Sequence, residues 1–237
     1  MADTPDVAAV AVAVAAADAA GEAAAPRRRP RPRPGERRIQ ILQALAAMLE
    51  APGGERITTA ALAARIGLSE AALYRHFASK AQMFEGLIDF IEASVFTLVD
   101  PIAEGEPPGP AQAGRSVGAL LQFGEKNPGM TRVVVGDALV FEHERLAARM
   151  NRFFERVELQ LRRSLGDAAG AEGAEGAEGA VKPGIDTDAA ARASVLTAFC
   201  IGRLQRHTRS GFRRLPTEQL DAALRLLGAA PPGTAPT

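Results

Sequence analysis

Residues 57–77 restrict the fold of this chain more than any other segment, because they predict two short helices joined by a tight turn. Thr58 is well placed to cap the first helix, in which the apolar residues Leu62 and Ile66 lie four positions apart on one face. Gly67 can adopt the left-handed conformation that ends many helices. The segment therefore predicts a helix-turn-helix.

The second helix of this pair carries an outward surface that suits nucleic acid. Ser69 caps it, Leu68 fills the corner before it, and Ala72, Leu73 and Phe77 are expected to face inward. Such a unit places a recognition helix in the DNA major groove, although a plain helical scaffold also carries turns of this kind. Hydroxyls and cations suit phosphate oxygens, and arginine also suits the edge of guanine. The predicted DNA contacts here are Ser69, Glu70, Ala71, Tyr74, Arg75, His76 and Lys80.

The rest of the chain also favours helices. Its 237 residues, of which 47% are hydrophobic, suffice for one sizeable core or two small domains. Apolar spacing predicts helices over residues 36–50, 80–99 (ending before Pro101), 111–127, 139–165, 186–210 and 217–227 (capped by Thr217). Pro128 is expected at the first position of a short helix after a sharp bend. The predicted fold class is all-α, with an N-terminal three-helix helix-turn-helix domain followed by a larger helical dimerisation domain.

Changes in composition predict the domain boundaries. Residues 1–35 form a disordered tail rich in Ala/Val and Arg/Pro, residues 36–82 the helix-turn-helix domain, and residues 83–227 the dimerisation and partner-binding domain. Gly-Ala-Glu repeats place a low-complexity loop at residues 166–185, and residues 228–237 form a second disordered tail. The two long apolar helices near the C-terminus exceed the needs of one small bundle. We therefore expect a two-fold homodimer, which suits a palindromic double-stranded DNA site.

Charge is distributed unevenly along a chain whose net charge is zero. Between residues 26 and 80 the cations outnumber the acids by eleven to four. A basic segment beside an acidic remainder is typical of a nucleic-acid-binding domain attached to another unit. Arg37, Arg38, Thr58 and Thr59 complete the predicted DNA contacts. The Arg/Pro arm before them either reaches along DNA or adds only non-specific affinity as a solvated tail.

The chain carries no sequence motif of catalysis, metal binding or membrane insertion. His76, His143 and His207 are far apart and have no cysteine neighbours, so no metal site is predicted. Cys200, the single cysteine, lies in an apolar helical run and is expected to be a buried core residue in a reducing cytoplasm. A P-loop, a dinucleotide fingerprint and a serine elbow are missing, and the apolar run over residues 7–17 is too short to cross a bilayer. We expect no enzyme, no cofactor and no membrane partner.

The helix-turn-helix resembles the DNA-binding domain of the TetR family of regulators. The resemblance is carried by residues 56–59 (Arg-Ile-Thr-Thr) and 74–80 (Tyr-Arg-His-Phe-Ala-Ser-Lys), the latter matching the family's aromatic ending of the recognition helix. Residues 57–96, 123–131 and 138–161 resemble, more narrowly, the nucleoid occlusion branch of this family. The first 35 residues and the Gly-Ala-Glu insertion fall outside the resemblance.

The resemblance implies a function more specific than transcription. Proteins of this branch bind palindromic chromosomal sites as dimers, two of which can share one site. When bound to DNA they engage the C-terminal tail of the division protein FtsZ and antagonise ring assembly over the nucleoid. The chain is accordingly expected to be cytoplasmic and nucleoid-associated. The alternative is a TetR-type repressor that a small-molecule inducer releases from its operator.

The resemblance also places a partner groove between the helix after the recognition helix and the bend that follows. The matching positions in this chain are Phe90, Phe123, Lys126, Asn127 and Met130. A partly exposed Phe90 and Met130 would anchor an apolar peptide, and Lys126 would meet an acidic one. Core packing for Phe123 and helix capping for Asn127 are equally compatible with the sequence.

Overall fold

The computed structural model describes residues 35–51, 56–166 and 185–229, which form nine α-helices and a 3₁₀ turn at Asp137–Leu139 but no strand. The helices are α1 (Glu36–Glu50), α2 (Thr59–Arg65), α3 (Glu70–Tyr74), α4 (Lys80–Gly105), α5 (Pro110–Lys126), α6 (Pro128–Val134), α7 (Glu144–Ser164), α8 (Ile185–Arg209) and α9 (Leu220–Leu226). The all-α prediction is confirmed. The predicted N-terminal tail, the Gly-Ala-Glu repeats and most of the predicted C-terminal tail lie outside the described residues.

The helix-turn-helix forms through the local signals that predicted it. The hydroxyl of Thr58 accepts a hydrogen bond from the backbone N–H of Ala61, and that of Ser69 accepts one from Ala72, each at 3.2 Å. Both side chains therefore satisfy N–H groups that a helix start leaves unpaired. Gly67 has a φ of +66°, a left-handed conformation that glycine adopts without steric cost. The prediction of a helix-turn-helix is confirmed.

The apolar spacing of α1 predicts a buried stripe of Ile39, Leu42, Leu45, Ala46 and Leu49, and the helix buries a slightly different face. Ile41, Leu45 and Leu49 are fully buried, whereas Ile39 and Leu42 are only half-buried. The reason is that α1 is covered from two directions, by the helix-turn-helix and α4 on one side and by α6 on the other. The apolar spacing of α1 alone does not indicate that α6 packs against it.

Helix α4 is longer than predicted and contains Pro101. Proline lacks a backbone N–H, so the carbonyl of Thr97 loses its usual partner in the helix. The end of the helix is instead held from outside, because the side-chain amide of Gln112 lies 3.3 and 3.1 Å from the carbonyl oxygens of Ile102 and Ala103 and 2.8 Å from that of Glu106, which follows the helix. The predicted end near Val99 is therefore wrong, since a side chain of α5 satisfies the carbonyls beyond it.

Helix α7 begins later than predicted. The predicted helix starts at Leu139, but the chain turns at Gly136, which has a φ of +85°, and passes through the 3₁₀ turn. The helix then starts at Glu144, where the imidazole Nδ1 of His143 accepts a hydrogen bond from the backbone N–H of Arg145 at 3.3 Å. The loop before α7 is consequently free to approach the helix-turn-helix.

Helices α4, α5, α7 and α8 pack together around the C-terminal part of a single continuous hydrophobic core. Leu196, Cys200 and Leu204 of α8 are fully buried in it, and burial raises the pKa of the Cys200 thiol to about 12. Cys200 is therefore a core residue, as predicted. The predicted capping role of Thr217 is wrong, because α9 begins at Leu220 with Gln219 at its N-cap, and the hydroxyl of Thr217 donates instead to the carboxylate of Glu125 on α5.

Candidate DNA-binding and peptide-binding sites

The predicted recognition helix presents its polar residues on one exposed surface. Leu73 and Phe77 are buried beneath it, so the inward side agrees with the prediction, although α3 itself ends at Tyr74. Tyr74 as a whole residue is 43% exposed. His76 is half-buried, and the exposed residues of this surface are Ser69, Glu70, Ala71, Tyr74 and Arg75.

The capping hydroxyls at the starts of α2 and α3 are also exposed. Thr58 and Ser69 each use an oxygen lone pair for the backbone. A hydroxyl that accepts one bond still has its own hydrogen to donate. Each cap is therefore chemically able to donate to a phosphate oxygen while it continues to hold its helix.

The start of α1 is fastened to the end of the recognition helix. The guanidinium of Arg38 donates to the carbonyl oxygen of His76 at 2.7 Å and lies over the ring of Phe77, 4.1 Å from its centroid. Arg37 donates to the side chain of Gln40 at 2.9 Å. These contacts hold the start of α1, which carries the predicted DNA contacts Arg37 and Arg38, beside the end of α3.

Lys80, a predicted DNA contact, is paired with an acid from the loop before α7. Its ammonium contacts Oε1 of Glu142, and the two side chains are 32% and 9% exposed. Beside this pair, the guanidinium of Arg56 lies 4.5 Å from the ring centroid of Phe141. Sequence reasoning missed both loop residues, because partners 62 positions apart (Lys80 and Glu142) or 85 positions apart (Arg56 and Phe141) leave no local pattern. A phosphate contact by Lys80 has to compete with Glu142.

The predicted partner-binding residues divide into exposed and buried ones. Phe90 is half-buried on α4, and Lys126 is exposed at the end of α5. Phe123 and Met130 are only 8% and 4% exposed. The expected partial exposure of Met130 is therefore wrong, because α6 turns this side chain into the core after the bend.

Hydrogen bonds hold the bend between α5 and α6. The side-chain amide of Asn127 donates to the carbonyl oxygen of Phe123 at 2.8 Å. The hydroxyl of Thr131 lies 2.8 Å from the carbonyl oxygen of Gly124 and 3.0 Å from that of Asn127. Pro128 occupies the first turn of α6, as predicted. Asn127 thus has the capping role that the sequence left open.

The two acids beside Phe90 share one cation of α7. The guanidinium of Arg149 contacts Asp89 and lies 3.0 Å from Glu92. Burial of Arg149 favours its neutral form, but the hydrogen bonds and charges of these two carboxylates prevail and raise its pKa. The surface around Phe90 is therefore less repulsive to an acidic ligand than its sequence indicates.

One cavity lies in the C-terminal part of the core, among the described residues. The cavity between Val95, Val117, Val157 and Cys200 has a volume of about 10 Å³, room for about one water molecule. Sites for small organic molecules typically enclose several hundred Å³. This cavity does not suit the inducer that the alternative interpretation requires.

The described residues lack the features of a metal site and of a membrane span. They contain no group of three or more metal-ligating side chains. Within the same ranges, no helix combines the length and the apolar character needed to cross a bilayer.

Comparison with known proteins identifies the family. Residues 41–87 match the bacterial regulatory proteins of the tetR family, and residues 115–229 match the SlmA-like form of the tetracyclin repressor-like C-terminal domain. The chain is 48% identical over 194 residues to the nucleoid occlusion factor SlmA of Escherichia fergusonii, which covers 81% of this chain and 93% of that protein. The chain belongs to the SlmA family. SlmA proteins of Escherichia coli and Shigella boydii serotype 18 match with the same identity and coverage.

Solved structures agree with a TetR-type fold for this SlmA-family protein. The regulator FadR from Bacillus subtilis, crystallised with stearoyl-CoA, superposes with a TM-score of 0.60 at 12% identity over 80% of this chain and 97% of its own. A transcriptional regulator from Rhodococcus sp. Rha1 gives 0.59 at 18% identity, over 80% and 92%. Identities this low establish the fold alone.

The matched ranges cover most of the predicted site residues of the SlmA-family chain. The tetR-type match contains the whole helix-turn-helix, and the SlmA-like match contains the bend after α5. Arg37, Arg38 and Phe90 fall outside both ranges. The chain is thus a nucleoid occlusion factor with a TetR-type DNA-binding domain.

Proposed function

We propose that this SlmA-family chain binds palindromic chromosomal DNA as a homodimer and, when bound, engages the C-terminal tail of FtsZ to prevent ring assembly over the nucleoid. DNA binding is assigned to residues 36–82, and dimer and partner binding to residues 83–227. The observation that carries the proposal is the exposed polar surface of a helix-turn-helix joined to an SlmA-like C-terminal domain. The protein is accordingly nucleoid-associated.

Two kinds of DNA contact are proposed for the helix-turn-helix surface. Hydroxyls at Thr58 and Ser69 and the cations of Arg37 and Arg38 flank the recognition helix, where they suit phosphates. The exposed residues of the recognition helix surface, Glu70, Ala71, Tyr74 and Arg75, are proposed to face the base edges. Phosphate contacts position the protein, while contacts to bases select the sequence.

Apolar side chains on the C-terminal helices support the proposed homodimer. Leu159 of α7, Val195 of α8 and Leu226 of α9 are large hydrophobic residues that remain exposed in one copy of the chain. A second copy related by two-fold symmetry would cover such residues on both subunits at once. The same symmetry places two recognition helices on a palindromic site.

The proposed FtsZ-tail site uses the exposed members of the predicted groove. Phe90 offers a half-buried aromatic ring, and Lys126 offers a cation on a rigid bend. Phe123, Asn127 and Met130 would support these two from within. A short peptide with apolar and acidic residues matches this combination of one anchor and one charge.

We expect Lys126→Glu to weaken binding of an FtsZ C-terminal peptide by about tenfold, because reversal of a charge at an interface replaces attraction by repulsion. DNA affinity should remain unchanged. The measurement is fluorescence anisotropy of the labelled peptide, titrated with the protein and a palindromic duplex. Arg152→Glu is the matched control, since Arg152 is an exposed cation on α7. Equal losses in both variants, or a loss of DNA binding with Lys126→Glu, would contradict the assignment.

We expect Glu142→Gln to strengthen DNA binding several-fold at low salt. In this variant the ammonium of Lys80 no longer forms an ion pair with a carboxylate, so it is available to a phosphate. The slope of log affinity against log salt should steepen by about 0.9, the value for one added phosphate contact. Anisotropy of a labelled duplex over a range of salt concentrations measures both quantities. Glu144→Gln, which removes an exposed acid two positions along, is the control. An equal response of the two variants would show that only net charge matters.

A further inference from the structure

Three side chains form a hydrogen-bonded relay within the proposed DNA-contact surface. The hydroxyl of Tyr74 donates to Oγ1 of Thr59 at 3.4 Å, and Thr59 donates in turn to Oε1 of Glu70 at 2.9 Å. The relay joins the start of α2 to both ends of the recognition helix. Glu70 is exposed to solvent at the outer end of the relay.

The direction of these bonds determines what the relay presents to a ligand. A hydroxyl has a single hydrogen. Because Thr59 donates its hydrogen to Glu70, it accepts the hydrogen of Tyr74, and neither hydroxyl has another to offer. The second carboxylate oxygen of Glu70 and the phenol oxygen of Tyr74 remain, and both are acceptors. The relay can consequently bind a hydrogen-bond donor on the DNA, whereas the negative charge of Glu70 repels phosphate oxygens.

The major groove contains few donors for such an acceptor. The edge of guanine offers N7 and O6, which are acceptors, and thymine offers O4 and a methyl group. Cytosine presents its N4 amino group and adenine its N6 amino group. Only an exocyclic amine therefore satisfies the free oxygen of Glu70.

We propose that Glu70 is a specificity-determining residue that accepts a hydrogen bond from the exocyclic amine of a cytosine or adenine in the major groove. Thr59 is a positioning residue, which holds one carboxylate oxygen so that the other points outward. The inference rests on the proposed DNA binding. Repulsion between Glu70 and phosphates weakens binding to every DNA sequence, whereas the hydrogen bond to an amine forms at matching sites alone. The carboxylate therefore raises the ratio of specific to non-specific affinity.

The test removes single amino groups from DNA. The wild-type chain first selects its site from a randomised double-stranded library. Each cytosine of that site is then replaced by a 2-pyrimidinone nucleoside and each adenine by a purine nucleoside, which lack only the amine. We expect one position per half-site at which this change weakens wild-type binding by about tenfold. The identity of that base distinguishes cytosine from adenine.

Protein variants connect this position with Glu70. Glu70→Ala should bind the intact and amine-free duplexes within about twofold of each other, and should bind unrelated DNA more tightly than the wild type does. Thr59→Val should reduce the sensitivity to the amine, and Thr59→Ser, which keeps the hydroxyl, should restore it. Glu50→Ala is the matched control, because Glu50 is an exposed acid at the far end of α1. It should retain full sensitivity.

Three outcomes would overturn the inference. A wild-type chain that tolerates removal of every amine does not use this contact. A Glu70→Ala variant that keeps the tenfold sensitivity shows that another residue contacts the amine. A wild-type chain that enriches no site from the library contradicts sequence-specific DNA binding itself, and so distinguishes failure of the proposed function from failure of the role of Glu70.

Discussion

Gly129→Ala is expected to destabilise the chain by about 3 kcal/mol, the upper part of the usual range for overpacking. A Cβ atom at this position would lie 2.0 Å from the carbonyl oxygen of Ala46 and 3.1 Å from the backbone nitrogen of Glu50. Both neighbours are backbone atoms of α1, so no side-chain rotation relieves the contact. Helices α1 and α6 have to separate, which exposes the apolar residues between them.

Urea denaturation of the purified variant measures this loss. Gly105→Ala is the matched control, because no atom lies within 4 Å of a Cβ built at this exposed helical position. Alanine there should change stability by less than about 1 kcal/mol, in the stabilising direction. A Gly129→Ala variant as stable as the wild type would show that α1 and α6 separate at little cost.

The contact between α1 and α6 at Gly129 (the α1–α6 seam) also links the two proposed binding surfaces. Arg37 and Arg38 lie on α1, and Lys126 precedes the bend that leads into α6. Opening the seam at Gly129 should therefore weaken binding of both DNA and peptide, whereas a change at Lys126 affects the peptide alone.

Contiguous sequence signals predicted much of the fold. The caps at Thr58 and Ser69, the left-handed Gly67 and the start of α6 at Pro128 each depend on residues within a single turn. Interactions of this kind are complete within a few positions of sequence, so a single sequence contains them. The exposed polar face of α3 followed from the same local pattern.

Errors arose where a distant neighbour determines the outcome. Helix α4 passes Pro101 because Gln112 on the next helix donates to the carbonyl oxygens of Ile102 and Ala103 in its last turn. Met130 is buried because of what packs over α6, which apolar spacing does not indicate. The pairing of Lys80 with Glu142 joins two segments that neither sequence pattern nor spacing relates.

Tyr74→Ala is expected to weaken specific DNA binding by about a hundredfold, a loss within the range for a residue that contacts the site directly. The tyrosine ring is largely outside the core, and the buried neighbours Leu73 and Phe77 are untouched. The thermal midpoint should therefore change little. An electrophoretic shift with the selected site measures affinity, and circular dichroism measures the midpoint. Unchanged affinity would remove the basis for assigning α3 as the recognition helix.

Tyr74→Phe separates the ring from the relay. This variant retains the apolar surface that a sugar or base contacts but cannot donate to Thr59. Because Thr59 still donates to Glu70 at 2.9 Å, the variant should remain sensitive to removal of the base amine while losing only part of the affinity. A loss as large as that of Tyr74→Ala would instead make the phenol hydroxyl the main DNA contact. The phenylalanine variant therefore decides whether the tyrosine acts through its ring or through its hydrogen bond.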